Sequence, residues 1–308
     1  HLLSIPLFYI LRLVYLNKLI LKKNNWRNLI NKKMNIKNQI TRTAIILCGG
    51  RGLRLGSISK KIPKSLVKVQ GKPILWYIIK ILKKNNFDHF ILPIGYKGDS
   101  IKKYLENKIF SDYNIKIVPT GIDTPIARRI FNIRKYIKSE NFLLLNGDAI
   151  FDFNLNKIYK NHVKNNKTYI TFLGSETNLP YGTIVLSEGI VKNFERDVMF
   201  NAVKISNKSN NTAYVYSGMA ILKKEVFKEN IKNFKKFEND LYPKIIRKYK
   251  CKFEKLSGFW HSIDNIKDIR ILKSDKDKRK KINNLLKKLK WKILVAKTKS
   301  YQFYIWLI

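Results

Sequence analysis

Acidic residues are scarce. Only 21 Asp and Glu stand against 63 Lys and Arg, a formal charge of +42 at pH 7. A chain this basic can bind nucleic acid, anionic lipid or an acidic substrate. The lysines run through the whole sequence beside abundant Asn and Ile, which reads as a composition bias, and no nucleic-acid partner is expected. Cysteine is nearly missing: Cys48 and Cys251 are far apart and form no CxxC pair. That excludes a cysteine zinc site and fits a reducing, cytoplasmic compartment. Histidine is equally rare. His89 and His162 have no ligand spacing and are expected at surface or satisfied positions, and only His261, beside Trp260 and near Asp264, is a candidate for substrate contact. There is no GxxxxGK[ST] phosphate loop, GGRG does not match the GxGxxG of a dinucleotide fold, and no internal repeat is visible.

Long apolar runs are missing too. The opening HLLSIPLFYILRLVYLNKLIL is interrupted by Arg12 and Lys18, and a spanning helix needs about 20 mostly apolar residues. No small-residue cleavage site follows it to make a signal peptide. Residues 1–40 carry +8 and residues 273–308 carry +10. The expected organisation is therefore a basic, apolar N-terminal extension (1–40), one domain (41–272) and a basic tail (273–308). Because Met34 stands just before the first core strand, residues 1–33 are expected to be upstream sequence. The alternative is a basic amphipathic anchor on a membrane surface.

What is present, at 45% hydrophobic residues, is enough for a core. TAIILC (43–48) predicts a buried strand, and Pro73 predicts the first helical position of ILWYIIKILKKNN. Trp76 and Tyr77 fall on the apolar face of that helix. HFILPIG (89–95), IKIVP (115–119) and FLLLNGD (142–148) predict further strands. Between them come a helix from DSIKKYLEN with an Asp99 cap and a basic helix over 127–138. Strands alternating with helices mean βαβ units and a mostly parallel sheet. After residue 168 the strands become short and hairpin-like, predicting an antiparallel or mixed extension, then a helix near 239–250 and a strand at 252–256.

The first strand runs into CGGRGLRLGSISKKIPKSL, where glycines and cations follow one another closely. Glycines let backbone approach a ligand, and N–H groups beside Arg and Lys suit a polyphosphate. Ligands of open α/β sheets bind at the carboxyl ends of strands. Asp148 ends a later strand and should face the same crevice. An acid beside phosphates is costly without a divalent cation between them, although Asn-Gly-Asp is also ordinary turn chemistry.

CGGRGLRL with KIPKSLVKVQGKPILWYII resembles the AGGxGxRL…PK signature of the sugar-1-phosphate nucleotidyltransferases. GYKGDSIKKYL, TGIDTPIARRI, FLLLNGDAIFDFNL and GFWHSIDNIKD follow in the family's order over residues 43–272. GKPILW, GYKG and the TGxxT segment are most similar to the glucose-1-phosphate cytidylyltransferase branch. The resemblance implies a Rossmann-like, GT-A-like α/β fold, a mostly parallel mixed sheet flanked by helices with a small antiparallel sugar-side extension. It implies an enzyme of nucleotide-sugar and polysaccharide biosynthesis that uses Mg²⁺ to transfer a nucleotidyl group from an NTP, preferably CTP, to a sugar 1-phosphate, giving an NDP-sugar and pyrophosphate.

By the same resemblance Gly49, Gly50 and Gly52 would wrap the phosphates, Arg54 would clamp the departing β/γ-phosphates and Lys64 would bind the α-phosphate. Thr120, Gly121, Arg129 and Gly147 would complete the nucleotide side. Tyr181, Gly182, Glu195, Arg196 and Ser217 would bind the sugar phosphate, and Asp148 and Asp264 the metal. Another NTP, another phosphorylated acceptor, or a non-catalytic basic relative are the alternatives. Weak membrane contact through the basic ends and a homo-oligomer stay open. The sequence departs from the family at Cys48, Leu53, Ala127, Arg128, Arg196 and Ser217, mostly on the sugar side.

Overall fold

The computed structural model describes residues 41–175, 177–178, 183–187, 190–195, 199–200, 214–229, 234 and 237–289. The chain divides into two units, His1–Thr41 and Arg42–Ile308, and every described strand and helix lies in the second.

The apolar runs become the middle of a seven-stranded sheet. Strands β1 (Thr43–Leu47), β2 (His89–Ile94), β3 (Asn114–Pro119) and β4 (Asn141–Asn146) lie side by side in the order β4-β1-β2-β3, all parallel. A short strand β5 (Ala149–Asp152) leaves the sheet after β4, and β6 (Ile170–Ser175) re-enters it. Thr183–Ser187 (β7) and Ile190–Glu195 (β8) form the antiparallel hairpin expected of the extension. Strand β9 (Val215–Lys223) does not belong to that extension. It inserts between β4 and β6, antiparallel to both. Strand β10 (Cys251–Lys255) closes the far edge, parallel to β6. Six strands thus point one way and β9 the other.

Parallel strands with both faces covered are apolar throughout. Alternate residues of the same strands feed two cores: Ala44, Ile46, Phe90, Leu143 and Leu145 on one face, Ile45, Ile91, Phe142 and Leu144 on the other. The first core takes helix α1 (Ile74–Lys84), with Trp76 and Tyr77 buried as expected, and the second takes α3 (Ile126–Ile133) and α5 (Phe237–Lys248). Helix α2 (Gly98–Leu105) follows β2, and α4 (Leu155–Lys164) follows β5.

Several local expectations shift. Pro73 is the N-cap of α1, not its first residue, because it pairs with Lys68 in a two-residue ladder. Asp99 does not cap α2: the cap is Lys97 in the left-handed region, and Asp99 sits inside the first turn, favourable to the helix dipole. The basic helix stops at Ile133 and tightens to a 3₁₀ turn, Arg134–Tyr136. His89 and His162 are buried and satisfied. Thr43 Oγ1 lies 3.3 Å from His89 Nδ1, and Thr171 and Asn141 bracket the His162 ring at 2.8 and 3.1 Å.

The packed body also runs past the boundary drawn at residue 272. After β11 (Phe259–Ser262) and α6 (Ile266–Ser274), a helix over 276–289 puts Ile282, Leu285 and Leu289 into the first core. Lys288 on this helix meets Asp152 at 2.6 Å. Among the described residues no helix is long and apolar enough to cross a membrane.

Candidate active site

Three strand ends open onto one cleft, and the end of β2 lies behind the lining residue Arg129. Leu47 leads to Gly49–Arg54, Ile94 to Gly95, Pro119 to Thr120–Pro125, and Asn146 to Gly147–Asp148. Most of these residues line a cavity of about 480 Å³. The glycine loop is shaped by Gly52 at φ 63°, a conformation that a side chain disfavours. Its missing side chain also leaves room for Lys64: a Cβ there would lie 3.2 Å from the lysine Cβ. Pro63, at φ −67°, leads into the short turn Lys64–Leu66 that carries the ammonium.

Asp264 reaches this cleft by strand pairing. Strand β11 runs antiparallel to β5, with Ser262 opposite Ala149, and the Ile263 N–H donates to the Asp148 carbonyl at 2.9 Å. A capping box of Asn265 and Asp268 fixes the next helix, and the Asp264 N–H donates to Asp268 Oδ2 at 2.7 Å.

The result is a compact charge cluster. Lys64 Nζ donates to Asp148 Oδ2 at 2.7 Å and to Asp264 Oδ1 at 2.9 Å. Arg54 approaches the same Asp264 oxygen at 3.0 Å, and Ser262 donates to Oδ2 at 3.2 Å. Burial opposes the Asp264 charge, but the Lys64 hydrogen bond and the Lys64 and Arg54 charges outweigh it and lower its pKa. Lys64 is the most enclosed member, 15% exposed, whereas the Arg54 side chain is 75% exposed. Two carboxylates converging on one cation-sized position, open to a phosphate-sized cleft, fit a divalent metal completed by substrate oxygens.

Residues 43–278 match the family model described as Nucleotidyl transferase. The chain is 30% identical over 247 residues to the "Probable glucose-1-phosphate cytidylyltransferase" of Bacillus subtilis (strain 168), covering 73% of this chain and 92% of that protein. It belongs to the sugar-1-phosphate nucleotidyltransferases.

It is also 33% identical over 192 residues to the D-glycero-alpha-D-manno-heptose 1-phosphate guanylyltransferase of Campylobacter jejuni, covering 60% of this chain and 78% of that one. The inositol-1-phosphate CTP transferase of T. maritima overlays with a TM-score of 0.57 at 19% identity, over 82% of this chain and 97% of that one. HddC from Yersinia pseudotuberculosis complexed with GMP-PN gives 0.55 at 23%, over 75% and 97%. At those identities the likeness concerns the fold. By the family model and the Bacillus subtilis relative, the chain is an enzyme of nucleotide-sugar biosynthesis, in a family that typically uses a divalent metal.

Within this nucleotidyltransferase the expected residues separate into groups. Gly49, Gly50, Gly52, Arg54, Lys64, Gly147 and Asp148 border the cleft, with Asp264 on Lys64. Arg129 borders it too, but its guanidinium is turned inward and buried. Nε donates to the Thr124 carbonyl at 2.8 Å, Nη2 to the Ile122 carbonyl at 2.7 Å, and Nη1 to Thr120 Oγ1 at 2.7 Å. Burial lowers its pKa from the ordinary arginine value. Arg129 and Thr120 therefore build the loop from within. Gly121, at φ 91°, supplies the turn.

On the sugar side, Ser217 is buried in β9 and donates to the Leu173 carbonyl at 2.7 Å, so its hydroxyl is committed within the sheet. Glu195 ends β8. Tyr181, Gly182 and Arg196 lie outside the described residues. His261 lies on β11 with its ring parallel to that of Phe259 and its Nε2 buried without a partner among the described residues. Cys48 is buried, and burial raises its thiol pKa to about 12, which suits packing and not chemistry.

Sequence reading missed Arg51 and Asp123. Arg51 Nη2 meets Asp123 Oδ1 at 2.8 Å, an exposed ion pair that joins the glycine loop to the Thr120–Pro125 loop across the cleft. Both sit inside the quoted motifs, and their opposite charges were the available signal. Exposed Ile122 and Ile126 add an apolar wall.

Proposed function

We propose that the chain transfers a cytidylyl group from CTP to a sugar 1-phosphate, releasing pyrophosphate, with Mg²⁺ held by Asp148 and Asp264. The observation that carries this reading is Lys64, bonded at once to two carboxylates that are 84 and 200 residues away along the chain. A merely basic binding protein has no need to converge these groups at the end of a glycine loop.

Gly49, Gly50 and Gly52 bring backbone close to the nucleotide phosphates. Arg54 swings from Asp264 to the β/γ-phosphates, which its exposure permits, and Lys64 faces the α-phosphate. An oxygen of the sugar phosphate forms the new bond to the α-phosphorus, the bond to the β-phosphate oxygen breaks, and pyrophosphate carries away the electron pair. The phosphate monoester is already nucleophilic, so no side chain needs to become one. A bound divalent ion supplies charge neutralisation between the carboxylates and the phosphates. The chain's own contribution is alignment and preorganised charge.

Cytosine is favoured by the similarity to the Bacillus subtilis protein over 92% of its length. GTP is the second reading, favoured by the guanylyltransferase relatives. We further place the enzyme in the cytoplasm and leave a homo-oligomer as compatible with the family. The deciding experiment is pyrophosphate release from CTP, GTP, UTP and dTTP against a panel of sugar 1-phosphates. CTP should give the highest kcat/KM, and a preference for GTP would move the assignment to a guanylyltransferase.

A further inference from the structure

Two carboxylates share one ammonium, and the three groups are not equally fixed. Asp148 sits in the turn between β4 and β5, its carbonyl bonded to Ile263 N–H at 2.9 Å. Asp264 is tied by its own N–H to Asp268 at 2.7 Å and by Ser262 to Oδ2 at 3.2 Å. Lys64 reaches them at the end of a flexible four-carbon stem. Its Nζ, 2.7 and 2.9 Å from the two oxygens, stands in the space that the carboxylates jointly face.

A divalent ion held by those same oxygens would bind them at roughly 2.0–2.1 Å, close against the ammonium. Two cations cannot share that space without strong repulsion. Neither carboxylate is lost when Lys64 leaves, because backbone contacts hold both segments. Lys64 has somewhere to go only when another anion enters the cleft, and the cleft beside it is large enough for a nucleotide's phosphates, at about 480 Å³.

We propose that Lys64 is the resident counter-ion of this carboxylate pair. It balances the charge of Asp148 and Asp264 in the free protein and keeps free divalent cation out until nucleotide phosphates draw the ammonium away. Metal therefore enters together with nucleotide. This role rests on the assignment of the two aspartates as the metal carboxylates, and it is separate from any contact of Lys64 with the α-phosphate.

The test is Mn²⁺ binding to nucleotide-free protein, read by electron paramagnetic resonance of the free ion. Lys64→Met should bind Mn²⁺ at least about tenfold more tightly than the natural protein. That is the lower end of the one to three powers of ten by which a single neighbouring charge shifts an ionic equilibrium. Lys64→Gln should move the same way and serves if the Met variant does not fold, whereas Lys64→Arg should not gain. Adding Asp148→Asn to Lys64→Met should abolish the gain. Unchanged or weaker Mn²⁺ binding by a folded neutral variant overturns the proposal, as does a gain that survives Asp148→Asn. A gain in Mn²⁺ affinity in the neutral variants, with no pyrophosphate release from any NTP by the natural protein, would uphold the counter-ion role and refute the reaction. Turnover without the gain would do the reverse.

Discussion

The guanidinium of Arg129 fills the space that a side chain on Gly95 would need: a Cβ there would lie 2.5 Å from Arg129 Nη1 and 2.5 Å from the Gly121 carbonyl oxygen. Gly49 is in the same position against Arg129. One arginine thus bonds the end of β2 to the Thr120–Thr124 loop and packs against Gly49 after β1. Gly95→Ala should cost about 1–3 kcal/mol, as overpacking does, and raise KM for the nucleotide. Gly50 is the control. It has open space around it in the free protein, so Gly50→Ala should leave the melting temperature unchanged. A loss of kcat/KM would then report phosphates passing over that residue, and unchanged kinetics would place them elsewhere.

The C-terminal helix makes a prediction about truncation. Ile282, Leu285 and Leu289 are 0%, 1% and 5% exposed, and burying such side chains contributes roughly 1.5–3 kcal/mol each. A chain ending at residue 272 should be markedly less stable in urea unfolding than one ending at residue 289. Equal stability of both would remove the helix from the core.

Lys64 should differ from its neighbours. Lys60 and Lys61 are exposed, Lys64 is enclosed between carboxylates. Lys64→Ala should lower kcat at saturating substrate by roughly 10²–10³, the usual loss for one preorganised donor. Lys60→Ala and Lys61→Ala should change mainly the salt dependence of binding. A uniform fall in all three variants, mimicked by added salt, would leave only diffuse charge.

His162 should make stability fall in mild acid. Burial, helped by the Lys223 and Lys252 charges, lowers its pKa to about 4, against about 6.5 in the unfolded chain. The unfolded state takes up a proton that the folded state refuses. Stability is therefore full above about pH 6.5 and declines by up to about 3 kcal/mol as pH falls toward 4. Urea unfolding at pH 7.5 and 4.5 should show a smaller difference in His162→Gln. An identical difference would assign the acid sensitivity to other groups.

The strands were legible because they are local: the apolar runs at 43–47, 89–94 and 142–146 are the parallel strands. Lys64, Asp148 and Asp264 stand out along the ordered motifs, and the fold brings the three together in one charge cluster. What escaped was set by long-range pairing or by direction. Nothing in TAYVYSGMAIL distinguishes a hairpin strand from β9, which enters the main sheet only because β4 and β6 leave a place between them. Arg129 is expected on the nucleotide side, and the sequence does not show that its side chain is buried with Ile130 and Ile133 in its helix. The spacing of Ile282, Leu285 and Leu289 is that of an apolar helix face, hidden among lysines that read as a basic tail.

The most direct test follows the phosphorus that is attacked. The protein is incubated with CTP labelled at the α-phosphate, a sugar 1-phosphate and Mg²⁺. The label should appear in a nucleotide sugar in step with unlabelled pyrophosphate, only when the sugar phosphate is present. Excess chelator and Asp148→Asn should each abolish it. Release of inorganic phosphate with the label retained in CDP, or full label transfer in excess chelator, would contradict the assigned reaction.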